Sequence, residues 1–124
     1  MKKENINPKM LHLNLKKQWF DMIASGEKKE EYRDIKDYYY SRMVDYISNH
    51  SHLYNQPHLL KNSDFRYKHY DFIVFKNGYQ KDAPFIYVEF LGIEIKKGKI
   101  EWGAEPGKYY FTIKLGEIID TKVK

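Results

Sequence analysis

The chain has 124 residues, 42% of them hydrophobic and 17% aromatic, which is enough apolar material for one compact domain and argues against global disorder. Lys and Arg outnumber Asp and Glu by 22 to 17, giving a formal net charge of +5 that favours anionic partners, nucleic acid first. No cysteine is present, which excludes disulfides, thiolate zinc sites and a cysteine nucleophile.

The opening residues, MKKENINPKM, are basic but lead into no apolar run, so they do not read as a secretory signal. No stretch approaches the length of a membrane span, and a cytoplasmic protein is expected. Residues 1–9 read as a flexible lead-in. Leu11, Leu13 and Leu15 then alternate, predicting a strand with one buried face. Over Lys16–Ser25 the period changes. Trp19, Phe20 and Ile23 fall at helical spacing, with Trp19 in the core. Gly26 supplies a left-handed helix stop.

Lys28–Arg33 reads as a short extended segment, with Glu31 and Arg33 on one face and Tyr32 on the other. Strict alternation puts Lys28 on the Tyr32 side unless the turn at Gly26 re-aims it. Ile35–Ser48 reads as a helix with a stripe of Ile35, Tyr38, Tyr39, Met43, Tyr46 and Ile47. Residues 49–69 read as a long loop or insertion. His50, His52, His58 and His69 fall in or at the end of it. His50 and His52 with Asp64 have the residue types of a metal site but match no zinc spacing, so a solvated loop and no metal are expected.

Tyr70–Phe75 is a predicted strand, and Asn77-Gly78 is a turn signal. Residues 85–95 form a long strand with Gly92 as a bulge. Lys97-Gly98 turns the chain towards Ile100–Trp102 and the loop Gly103–Gly107. Tyr109, Phe111, Ile113 and Leu115 alternate on a last strand, which Gly116-Glu117 is expected to break before Ile118 and Ile119. Long bent antiparallel strands in so short a chain predict a mainly β, α+β fold. Its expected form is a small closed or nearly closed barrel with flanking helices at its mouth, with a split α+β sheet as the competing arrangement.

Gly26, Lys28, Glu31 and Arg33 form the pattern G-x-K-x-x-E-x-R. Lys offers a compact charge with three donors, and Arg a planar fork suited to phosphate or a base edge. Glu orders the two cations or accepts from a base amino group. The bland alternative is a solvated turn with surface ion pairs worth roughly 0–1 kcal/mol each.

This pattern, following LNLKKQWFDMIASGEKKEEYR, resembles the signature of the ASCH domain family. FKNGY, VEFLGIEI and EWGAEPGKYYFTIKLGEII are similar to later strands of a small microbial or phage-type branch of it. The likeness covers residues 10–120 and is weakest over 37–68. It implies one PUA-like β-barrel domain spanning residues 1–124. It also implies a cleft beside the barrel that binds RNA or a modified nucleoside or nucleotide. The implied binding residues are Gly26, Lys28, Glu31 and Arg33, with Asn77, Tyr79 and Trp102 at the rim or as stacking partners. Asn77-Gly78 is alternatively a plain turn, and Trp102 a core plug.

Two activities known among ASCH proteins are carried by the resemblance as alternatives: amide hydrolysis on N4-acetylcytidine and metal-dependent RNA cleavage. In the amidohydrolase branch the motif lysine works with a threonine three residues on. Lys28 matches that lysine, but Glu31 stands where the threonine would be, so the hydroxyl nucleophile is missing. An enzyme of this kind would use Lys28, Glu31 and a later acid, Glu89 ahead of Glu94, with Glu31 as a general base. A non-catalytic interaction domain, with the motif as a brace, is the remaining reading. No cofactor is expected.

Overall fold

The computed structural model describes residues 7–47 and 61–122. Strand β1 (Met10–Asn14) leads into helix α1 (Lys17–Ala24), strand β2 (Glu30–Arg33), helix α2 (Asp37–Met43) and strand β3 (Val44–Ile47). After a 3-10 turn at Asn62–Asp64 come β4 (Phe65–Tyr67), β5 (Phe72–Lys76), the long β6 (Phe85–Lys97), a 3-10 turn at Ile100–Trp102 and the long β7 (Tyr109–Lys122). The fold is mainly β: a curled five-stranded half-barrel of order β1-β5-β6-β7-β2, a two-stranded β3-β4 ribbon and two short helices.

Strands β1 and β5 run parallel, with Leu11 opposite Ile73 and Leu13 opposite Phe75. All other pairs are antiparallel. Alternation places Leu11, Leu13, Ile73, Phe75, Ile86, Val88, Ile93, Phe111 and Ile113 in one core, as period-two patterning requires. Helix α1 lays Phe20 and Ile23 on that core, both 2% exposed. Each such side chain contributes about 1.5–3 kcal/mol over its exposed form. The register of β6 against β7 shifts three times between Tyr87 and Gly92, so the irregularity expected at Gly92 extends over the residues before it.

Three local expectations need correction. Helix α2 ends at Met43, and Val44–Ile47 is a strand rather than the last turn of a helix reaching Ser48. Pairing with Phe65–Tyr67 outweighs the weak helical preference of the β-branched Val44. That same pairing makes Phe65–Tyr67 a strand within the expected 49–69 loop, after one helical turn at Asn62–Asp64. Residues 48–60, with His50, His52 and His58, lie outside the described residues. Finally, β7 passes unbroken through Gly116. A Cβ there would sit 2.3 Å from the Glu89 carboxylate, so the glycine makes room for a crossing side chain and ends nothing.

Asn62 continues the sheet where β5 has ended. Its side-chain Nδ2 donates to Ile95 O at 3.2 Å, and its Oδ1 accepts from Ile95 N at 2.7 Å. One amide thus satisfies the free edge of β6 as a backbone neighbour would. No described helix is long and apolar enough to cross a membrane.

Candidate functional site

The edges of the half-barrel are β1 and β2, and the site is built where their ends face each other. Helix α1 stops at a turn in which Gly26 takes φ +85°, and Lys28 N donates to Met22 O at 3.0 Å. That fold-back re-aims Lys28 away from simple alternation. Its side chain is 1% exposed, with the ammonium 3.1 Å from Glu31 Oε1. The same Nζ donates to the carbonyls of Trp102, at 3.0 Å, and Glu30, at 2.5 Å. It also lies 4.8 Å from the centre of the Tyr32 ring and 5.8 Å from that of Trp19. An ammonium has three donors, and all three are engaged.

Glu31 bridges the two cations. Its Oε2 accepts from Arg33 Nε and Nη2, both at 2.8 Å, a charge-assisted pair on one carboxylate oxygen. Arg33 Nη1 donates to the Tyr39 hydroxyl at 3.0 Å. Its Nη2 also reaches Asn14 O at 2.8 Å, stitching the end of β2 to the end of β1 where no backbone ladder closes the barrel. Lys28, Glu31 and Arg33 therefore form one network joining α1, β2, β1 and α2. Its formal charge is +1.

Burial pulls Lys28 below the ordinary lysine range, against the opposing pull of the Glu31 carboxylate. Burial also works against the charge on Arg33, but Glu31 and Tyr39 outweigh it and the guanidinium is held more firmly charged. On the outer face, burial works to raise Glu30, yet hydrogen bonds from Lys96 and Tyr32 carry it below its usual value. Those bonds are short, 2.7 Å each.

Beside the network opens a cleft of 440 Å³. Trp19 and Tyr39 line its wall together with the cations Lys16, Arg33 and Lys36. Tyr32 also borders it, while its hydroxyl bonds Glu30 and Lys99 on the outer face. Glu31 and Asp34 are its acids, and Asn14 forms one side. Of the residues anticipated from sequence, Glu31 and Arg33 line this cleft, while Lys28 lies beneath it and Gly26 shapes the turn that puts it there. Asn77 donates Nδ2 to Leu15 O at 2.9 Å and braces the wall. Tyr79, 91% exposed, borders a separate hollow. Trp102 contributes its carbonyl to Lys28, and its ring lies under Lys99 Nζ at 4.4 Å, outside the cleft lining.

Glu89 is not brought to this network. It stands exposed on the outer face of β6, its Oε1 accepting from Glu117 N at 3.2 Å. Glu94 pairs with Lys114 at 2.9 Å. Among the described residues no group of three or more His, Asp or Glu is placed to hold a metal ion. Trp19, Tyr39, Asn14, Lys16 and Lys36 were missed as cleft residues. Trp19 had read as core, and Tyr39 as one member of an apolar stripe with Ile35, Tyr38 and Met43. Only the junction of two distant strand ends singles them out.

The same surroundings predict a steep loss of stability in alkali. Burial raises the Tyr32, Tyr67 and Tyr70 hydroxyls above the ordinary tyrosine value. Their contribution is fully present below about pH 10, where unfolded tyrosines ionise. It is lost as pH climbs above that, because the unfolded chain releases protons first. Lys28 acts in the opposite sense below about pH 10.4, since the unfolded lysine holds its proton longer. Urea midpoints between pH 8 and 11 should hold or rise slightly, then fall beyond 10. Tyr32→Phe and Tyr67→Phe should each flatten the fall, and an unchanged slope in both would refute the assignment.

No protein-family model, curated protein or solved structure matches this chain.

Proposed function

We propose that this chain is a PUA-like domain of ASCH type that binds RNA or a modified nucleotide in the cleft between α1, β2 and α2. The observation that carries this reading is the cleft wall, where Trp19 and Tyr39 stand with Lys16, Arg33 and Lys36 around one open space. Aromatic faces accept an unstacked base, polar groups read its edge, and cations meet phosphate. Trp19 and Tyr39 act as stacking faces. Lys16 and Lys36, both exposed, meet phosphate. Arg33 has one guanidinium hydrogen beyond its observed bonds for a base edge or phosphate. Glu31 orients Arg33, and Lys28 holds Glu31.

Binding is favoured over hydrolysis by the state of Lys28. Its donors are all committed to protein acceptors, and Glu89 stands on another face. The binding test is a thermal-shift and calorimetric titration with nucleosides, N4-acetylcytidine, nucleoside monophosphates and short single-stranded RNA. A ligand of the native state raises Tm by mass action. The double variant Lys16→Glu/Lys36→Glu should fold normally and lose phosphate-dependent affinity. Its log–log salt slope on RNA should fall by roughly 0.7 for each phosphate contact removed. No shift with any of these ligands would sink the reading. Release of acetate or cleaved RNA in the same samples would move the chain to the hydrolase alternatives.

A further inference from the structure

Asn14 lines two hollows at once. One is the cleft just described. The other, of 220 Å³, lies on the far side of the end of β1. Its wall includes Leu13 and Val74, both buried, while His12, Lys76 and Tyr79 are exposed around it. No carboxylate is among its lining residues. We infer that this hollow is a second nucleotide subsite, so that the ligand is a single strand of at least two nucleotides rather than a free nucleoside. The inference rests on the proposed nucleotide-binding role of the first cleft.

The wall between the hollows is fixed from both sides. Asn14 Nδ2 donates to Gly78 O at 2.7 Å, and Gly78 N donates back to Asn14 Oδ1 at 3.2 Å. Asn14 O meanwhile accepts from Arg33. Leu15 N donates to Lys76 O at 2.8 Å, and Asn77 Nδ2 donates to Leu15 O. A partition held this way stays put when one hollow fills, and Asn14 lines both sides of it. Cations stand on both sides of it: Lys16 and Lys36 towards the first cleft, Lys76 towards the second. That placement of charge suits a phosphodiester crossing the partition with a base lodged on either side. Tyr79 then supplies the second stacking face, which accounts for a tyrosine standing almost wholly in solvent.

The experiment compares a nucleoside 5′-monophosphate with the dinucleotide carrying the same 5′ phosphate, by calorimetry at one fixed salt concentration. The dinucleotide should bind about fivefold tighter or more, the low end of one added stacked base. The double variant Tyr79→Ala/Lys76→Glu alters two exposed side chains and should bring the ratio of the two affinities towards one. Equal affinities in the parent protein would overturn the second subsite while leaving the first cleft standing. An increment that survives the double variant would also overturn it, since the extra nucleotide would then lie elsewhere. Failure of both ligands to bind would overturn this inference together with the proposed function.

Discussion

Glu31→Ala will cost about 3–5 kcal/mol of folding stability, the range for removing one partner of a buried ion pair. The carboxylate is the sole anion between the Lys28 ammonium and the Arg33 guanidinium in this network, and its side chain is 8% exposed. Its loss leaves two like charges buried side by side. Urea denaturation at pH 7 measures the effect. The deficit has a pH signature of its own. Without Glu31, nothing comparable opposes the burial that already lowers Lys28. Lys28 then loses its proton more readily in the folded state than in the unfolded one. Stability therefore rises with pH between the folded lysine value and about 10.4, where the unfolded lysine titrates. The variant should recover part of its deficit between pH 7 and 9.5. A cost under about 1 kcal/mol would mean that the network behaves as a solvated surface cluster.

Phe111→Ala should cost a similar amount, about 3–5 kcal/mol, from the cavity it leaves. Phe111 is fully buried and lies opposite Arg33 in the β2–β7 register. Its ring meets Tyr40 of α2 edge-on at 5.1 Å. Tyr39, next along the same helix, receives the Arg33 hydrogen bond and lines the cleft. Truncating Phe111 loosens the seat of α2 as well as the core. Ligand affinity at the cleft should fall alongside stability, although Phe111 is not among the cleft-lining residues. Denaturation and calorimetry on one preparation separate the two effects. Stability lost at unchanged affinity would show that Tyr39 is positioned independently of the core beneath its helix.

Period-two alternation was enough to locate β1 and the first half of β7, whose leucines and whose Phe111, Ile113 and Leu115 lie in the common core. β5 and β6 were legible instead as apolar runs bounded by turn signals, and β5 buries Ile73, Val74 and Phe75 in succession. Helix α1 was legible from Trp19, Phe20 and Ile23 followed by Gly26. The turn after it was legible only in part: a glycine stop is a local signal, but the aim of Lys28 depends on Met22 O, Trp102 O and Glu31 meeting in space. The β3–β4 ribbon was not legible. Val44–Ile47 continues an apolar stripe that fits a helix, and its partner lies beyond the connection that begins after β3. At the site, the charged residues at 28, 31 and 33 stood out by their spacing. The aromatic and asparagine walls did not, since they come from β1, α1 and α2 and carry no shared motif. Glu89 was chosen by type and approximate place on a strand, which leaves open which face of the sheet a carboxylate occupies once the strand bulges.

The strand order β1-β5-β6-β7-β2 also sets a schedule for folding. The two strands made first end up at opposite margins of the sheet, and each needs a partner made much later. β1 must wait for Phe72–Lys76, and β2 must wait for Tyr109–Lys122. Within this sheet the local pairings are the β5–β6 and β6–β7 hairpins, which can form early. A chain emerging from the ribosome therefore carries α1 and the Lys28–Arg33 segment without a surface to dock on until the last long strand is out. Contacts of such long sequence separation place refolding among the slower small domains, on the order of milliseconds to seconds. The Arg33 bridge to Asn14 should be among the last bonds made, and substitutions there should speed unfolding more than they slow folding.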